Sequence, residues 1–267
     1  MSTQLGRDNL KLFESGFLSD AQVICKERTW NVHKLILCGR STWFKKALTG
    51  GWSETASSKV TVNEMDPDTM DAVLRFIYSG DLTIKVKDKH LCIASYVHLW
   101  SHADFFKLDD MKAKVILRIL NSFVDIALRG PSKRFWIGSG QGKNLDCFNT
   151  DLFQAIGLAY KNSQARELQK TLTACAFAMG TDLSKDHLLA SEQLPQGFKA
   201  DLLAVLIHLR FDAKFSLLHA THNPLGTCEK CHLALTGECF KMGISRWCHN
   251  CGKDVLLSTL QDIVALM

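Results

Sequence analysis

Between residues 20 and 82 the spacing of apolar positions changes period several times, and each change marks an element. Residues 21–25 and 29–32 (AQVIC and TWNV) are short β-prone runs on either side of the charged turn Lys26-Glu27-Arg28, which predicts a β-hairpin. Leu35, Ile36, Leu37, Trp43, Phe44, Ala47 and Leu48 then suit two short helices broken near Gly39, with Gly50-Gly51 as the stop. Residues 59–63 alternate with period two and predict a strand. The best-marked helix follows. Asp66 can cap it, Pro67 suits the first helical position and Asp68 complements the dipole. Met70, Val73, Leu74 and Ile77 form one buried face, and Gly80 tolerates the left-handed conformation that ends a helix.

Outside this stretch the pattern is coarser. Residues 1–19 are a short polar lead with Leu10, Leu12 and Phe13 as the apolar cluster. Residues 129–150 are rich in Gly, Ser, Asn and Lys and read as a linker or exposed loop. The run Gly138-Ser139-Gly140-Gln141-Gly142-Lys143 fails as a phosphate-binding loop, because its glycines are one residue too close and Asn144 stands where a Ser or Thr would hold magnesium. From residue 151 to 210 the period is helical. Leu152, Phe153, Ile156, Ala159 and Tyr160 make one stripe, Leu168, Leu172, Cys175, Ala176 and Met179 a second, and Phe198, Leu202, Val205, Leu206 and Leu209 a third. A last stripe, Val255, Leu256, Leu260, Ile263, Val264 and Met267, predicts a terminal helix that docks on its neighbours.

The first stretch resembles a known family. Asp20 and Val23, then Val32-His33-Lys34 with Leu37, then Ser41 and Phe44, the strand Val60-Thr61-Val62 and the helix end Tyr78-Ser79-Gly80-Asp81-Leu82 are similar to the pattern of the BTB (POZ) domain, most closely its fungal type. Residues 96–108 resemble the family's next helix and residues 108–119 the last helix of its core. The resemblance implies a protein-interaction module of α+β fold, a small sheet with a helical cluster, in which His33 is structural. It also implies a partner. Trp52-Ser53-Glu54 stands where BTB adaptors of cullin-type ubiquitin ligases carry a hydrophobic-x-Glu motif, and an aromatic anchor beside a fixed charge is how interface hot spots are built. A turn whose Trp52 packs back on the domain is the plainer alternative. The helical stretch after it, through Leu194-Pro195, Phe198 and Asp201-Leu202-Leu203, resembles the BACK-like extension that often follows BTB domains.

The tail carries the sharpest chemistry. Cys228, Cys231, Cys248 and Cys251 form C-x₂-C, sixteen intervening residues, and C-x₂-C. Each pair clasps a metal from a tight turn, and four thiolates close a tetrahedral site of the kind that holds one structural zinc ion. Five of the ten cysteines fall within these twenty-four residues, which core packing alone does not produce. Cys239, His232, His249, His219 and His222 are the substitute ligands to weigh. The span from Cys228 to Cys251 holds three basic and two acidic residues, too few positive charges for a nucleic-acid module. Phe240 and Trp247 read as packing around the metal.

Composition narrows the class further. The chain has 267 residues, 46% apolar and 22% charged, with a net charge of +5, ordinary for a globular protein. No signal-peptide pattern opens it and no apolar run is long enough for a membrane span, so the expected compartment is a reducing one, cytoplasm or nucleus, where cysteines are thiols or metal ligands. His98 and His102 lack the glutamate of a zinc protease and no nucleophile motif is present, so no enzyme is expected.

The expected order is a BTB domain at 16–123, a linker at 124–150, a helical BACK-like extension at 151–220, a zinc-ribbon-like module at 226–253 and a terminal helix at 254–267. The expected function is protein–protein interaction through the BTB domain, by a cullin or by homodimerisation. In the first reading the chain is a substrate adaptor of a cullin-RING ubiquitin ligase; in the second it is a scaffold or transcription-linked oligomerisation protein.

Overall fold

The computed structural model describes residues 4–82, 93–127, 144–178, 191–209, 219–221, 227–235, 239–242 and 245–267. The chain divides into two compact units, Met1–Lys87 with His98–Val115, and Asp88–Val97 with Ile116–Met267.

The first unit begins with α1 (Gln4–Ser15), the hairpin β1 (Ala21–Cys25) and β2 (Arg28–Val32), and the short helices α2 (Lys34–Arg40), α3 (Thr42–Thr49) and α4 (Ser53–Ser57). Strand β3 (Lys59–Thr61) and helix α5 (Pro67–Ser79) follow. Helices α6 (Ile93–Phe105) and α7 (Asp109–Ala127) are shared between the units. The sheet order is β2-β1-β3, with β1 antiparallel to β2 and parallel to β3. Val23 faces Trp30 on one side and Val60 on the other. The period-two alternation puts Val23, Cys25, Val32 and Val60 in the core, where α5 adds Met70, Val73, Leu74 and Ile77.

Several residues of the BTB-like pattern have a specific mechanical role. Asp20 Oδ1 accepts the Lys34 N–H at 2.7 Å, closing the hairpin onto the start of α2. Ser41 Oγ caps α3 by accepting the Phe44 N–H at 3.1 Å and donates to the Phe106 carbonyl at 2.6 Å. The Phe44 and Phe106 rings stack with centroids 5.1 Å apart. Asp66 caps α5 through the Thr69 N–H at 2.9 Å, and Gly80 ends it at a φ of 71°. His33 is structural, as the resemblance implies: its ring is hydrogen-bonded at both nitrogens.

Three boundaries differ from the sequence expectation. The break between α2 and α3 expected near Gly39 falls two residues on, at Ser41, because the Ser41 cap decides it. The polar lead is a helix, α1, held by Phe13, whose ring lies 4.8 Å from that of Tyr78, and by the Arg75–Glu14 ion pair at 2.7 Å. The expected linker at 124–150 is entered by helix at both ends, since α7 runs to Ala127 and the next helix starts at Asn144. Gly138 to Lys143 lies outside the described residues.

The second unit contains α8 (Asn144–Lys161), α9 (Arg166–Ala178) and α10 (Gln196–Leu209), then the strands β4 (His219–Thr221), β5 (Cys239–Met242) and β6 (Ser245–Cys248), and finally α11 (His249–Leu266). Helix α9 packs against α8, α10 and α11. Most of the expected stripe positions are buried: Leu152, Ile156 and Ala159 from α8, Leu168, Leu172, Cys175 and Ala176 from α9, Phe198, Leu202 and Val205 from α10. Phe153, Tyr160 and Leu206 are half-buried, and Met179 and the side chain of Leu209 lie outside the described residues. Asp201 fixes the bundle by a polar clasp. It accepts the Tyr160 hydroxyl at 2.6 Å and both terminal nitrogens of Arg166, the second at 3.0 Å. Asp151 of α8 caps α6 from a distance, accepting the N–H groups of Ile93 at 2.6 Å and Ala94 at 3.2 Å. Among the described residues no helix is long and apolar enough to cross a membrane.

Candidate metal centre and interaction surface

The first two cysteines of the tail sit on a tight knuckle. Thr227 bridges Ala234, the Cys228 N–H donates to the Leu233 carbonyl, and the His232 N–H donates to the Cys228 carbonyl, both at 2.8 Å. His232 takes a φ of 58° so that the chain can double back, and its side chain is exposed. The second two arrive on a strand-to-helix junction. β4, β5 and β6 form an antiparallel sheet, β6 ends at Cys248, and α11 begins at once with Cys251 in its first turn. The terminal helix thus starts inside the stretch expected as the metal module, because Cys248 is its N-cap.

The four sulfurs lie within 4.8 Å of one another, and among the described residues they are the one such group of three or more ligating side chains. The Cys231 and Cys248 sulfurs are 3.8 Å apart and all four are free thiols. A disulfide would bring a pair to about 2.05 Å. Tetrahedral ligands bound at about 2.3 Å stand about 3.8 Å from each other, so the spacing is that of ligands around a common ion.

The electrostatics agree. Cys228 is fully buried, which works to raise its thiol, yet the backbone N–H groups of Cys231, Cys248 and Lys230 point at its sulfur and bring its pKa down to about 6. Cys251 is pushed up to about 12, first by its hydrogen bond with Cys248 and then by burial. Four crowded thiols resist ionising together, and a bound cation removes that conflict. Four sulfur donors without an oxygen suit a thiophilic ion in a closed site. Around it, Lys230 pairs with Asp254 at 2.9 Å, tying the knuckle to α11, and Trp247 is buried as expected for packing. The Lys230–Asp254 link was not signalled by the sequence, because its partners are twenty-four positions apart. Cys239 pairs with Cys248 in the β5–β6 register. Its side chain and those of His219 and His249, with His222 entirely, lie outside the described residues.

The other candidate residues are on the first unit. Trp52 is the N-cap residue of α4 and is 65% exposed, its ring edge lying over Gly50. Glu54 is half-buried in the first turn of α4 and accepts the Ser53 hydroxyl at 3.0 Å. Trp52 thus rests against its own Gly50-Gly51 turn while keeping most of its surface exposed. A second aromatic surface has a weaker sequence signal: Trp43 and Phe105, 5.2 Å apart, lie over the buried Phe44 and Phe106, and Phe105 is 42% exposed. Both sit on apolar helix stripes that read as core.

Residues 10–122 match the family model of the BTB/POZ domain. The chain is 33% identical over 78 residues to a BTB/POZ domain-containing protein of Arabidopsis thaliana, covering 28% of this chain and 10% of that one. It is 28% identical over 89 residues to BTB/POZ domain-containing protein 9 of Drosophila melanogaster, covering 33% and 12%. With Kelch-like protein 38 of Homo sapiens it shares 26% identity over 83 residues, covering 31% and 14%. The matched region thus spans between a tenth and a seventh of the length of these relatives. The solved BTB domain of zebrafish PATZ1 is similar at a TM-score of 0.34 and 13% identity, covering 42% of this chain and 85% of that one. The pattern from Asp20 to Leu82 lies within the matched region: the chain carries a BTB/POZ domain over residues 10–122, followed by further helices and a four-cysteine cluster.

Proposed function

We propose that this chain is a non-enzymatic, intracellular substrate adaptor: its BTB/POZ domain recruits a cullin of a ubiquitin ligase and the rest of the chain holds cargo. The observation that carries this reading is Trp52, an indole 65% exposed at the start of α4 with Glu54 two residues on, at the position of the adaptor motif. A protruding aromatic of this kind costs solvation unless something covers it, and a neighbouring carboxylate fixes how the partner docks. The test is affinity purification from cells of the native protein and of Trp52→Ala and Glu54→Ala variants. A cullin retained by the native chain and lost from both variants supports the reading; absence of any cullin from the native sample overturns it.

A second reading, a self-associating scaffold, is favoured by a separate observation. Leu5, Phe17 and Leu18 are 66%, 64% and 76% exposed at and just beyond α1. Light scattering tests self-association: a dimer is the expected result, and a monomer overturns this second reading.

The four-cysteine centre holds one structural zinc ion in this reading, bound by Cys228, Cys231, Cys248 and Cys251. The support is the spacing of the sulfurs and the all-thiol donor set. Zinc content near one ion per chain, lost in Cys228→Ser, is the expected result; purified protein without zinc overturns it.

A further inference from the structure

Two of the four sulfurs belong to α11 itself, Cys248 as its N-cap and Cys251 in its first turn. The other two come from the knuckle. Further along the same helix, Leu256, Leu260 and Ile263 are each no more than 3% exposed and fall on one face with the buried Gly252. This face is what α11 offers to the bundle, and the helix it packs against is α9. An α-helix of eighteen residues advances about 1.5 Å per residue, so the cysteines and Ile263 sit at opposite ends of one rigid rod.

Strands β5 and β6 also meet α11, and the Lys230–Asp254 pair joins its start to the knuckle. The Lys230–Asp254 pair is 52% and 68% exposed, a setting in which ion pairs contribute little. A helix in a protein owes most of its stability to the packing of its apolar face. The thiolates, by contrast, would gain both the ion and the positive end of the helix dipole.

We propose that the metal centre is a clamp: by joining the first turn of α11 to the Cys228–Cys231 knuckle it holds the Leu256–Leu260–Ile263 stripe on α9, and loss of the metal undocks α11 and uncovers an apolar surface on the helical bundle. The inference rests on reading the four cysteines as zinc ligands. It makes the availability of that surface depend on metal supply, although the surface itself contains no ligand.

Hydrogen exchange on the full chain tests it, with zinc content measured on the same sample. Removing the metal with a chelator should raise amide exchange in 253–266 and 166–178 at least about tenfold, reversibly on adding Zn²⁺, while β1, β2 and α5 keep their protection. The coupling must also run in reverse, because linkage is reciprocal. Leu260→Ala, which touches no ligand, should weaken Zn²⁺ affinity roughly fivefold or more. Zinc lost with no change of exchange in 166–178, or Leu260→Ala binding Zn²⁺ as tightly as the native chain, overturns the clamp and leaves the zinc assignment standing. Protein that never carries zinc overturns both.

Discussion

The Tyr78 hydroxyl lies 2.8 Å from the backbone nitrogen of His33 and 2.8 Å from its Nδ1. His33 Nε2 is 2.7 Å from the Phe17 carbonyl, which only accepts, so Nε2 carries the proton. In the neutral ring Nδ1 is then an acceptor, and Tyr78 donates to it while receiving the backbone N–H. One buried hydroxyl thus fastens the β2–α2 junction to α5, and through Phe17 the chain after α1 joins them.

Tyr78→Phe should therefore destabilise the first unit by about 1–3 kcal/mol, since it leaves a buried N–H and an imidazole nitrogen without their partner. Urea denaturation followed by tryptophan fluorescence measures the shift. An unchanged midpoint would show that the hydroxyl is replaceable.

The same residue sets an alkaline limit. Burial pushes Tyr78 up to about 12 from an ordinary 10.0, so between those values the folded chain keeps a proton that the unfolded chain has lost. Its contribution is fully present below pH 10 and falls as pH rises toward 12, by about 2–3 kcal/mol in all. Denaturation midpoints across this window should decline in the native protein and lose that share of the decline in Tyr78→Phe.

Gly6 should not tolerate alanine, although alanine is the better helix former by about 1 kcal/mol. A Cβ there would stand 2.5 Å from the Ser79 carbonyl oxygen, a backbone atom that cannot swing away. Lifting α1 off α5 should cost about 1–3 kcal/mol and make α1 a site of early proteolysis, checked by mass spectrometry of the digest.

Asp201 should give the helical region an acid limit. Burial works against its charge, but the Arg166 and then the Tyr160 hydrogen bonds hold its carboxyl below the usual carboxylate range. The stability it contributes is present above the ordinary value near 4 and is lost as pH falls through the lowered one. Asp201→Asn should cost about 1–3 kcal/mol at neutral pH and flatten the acid decline, measured by circular dichroism melts.

Trp52→Ala separates binding from folding. The exposed indole contributes to stability within about 0.5 kcal/mol, so the melting temperature should hold. If Trp52 anchors the partner, affinity falls by about 2 kcal/mol or more, roughly thirtyfold. Calorimetry of the purified pair reads both.

What could be read from residue order were the features whose physics is local. The hairpin, the Asp66–Pro67 start and Gly80 stop of α5, and the helical stripes depend on neighbours within a few positions. The BTB/POZ pattern is several such signals at fixed spacing, and the C-x₂-C pairs announce a knuckle because each closes within one turn. Distant contacts decided the rest. Ser41 ends α2 because its hydroxyl also reaches Phe106, sixty-five positions away. α1, with only Gly6 and Phe13 buried, has too thin an apolar face to be seen in sequence and takes its place from Tyr78, Ser79 and Arg75. The four cysteines were legible as candidate ligands, but not that two of them stand at the start of α11, which packs on α9. Periodicity and capping fix which segments are helix or strand, whereas only the folded chain pays the entropy that brings separated segments together and so decides what each one touches.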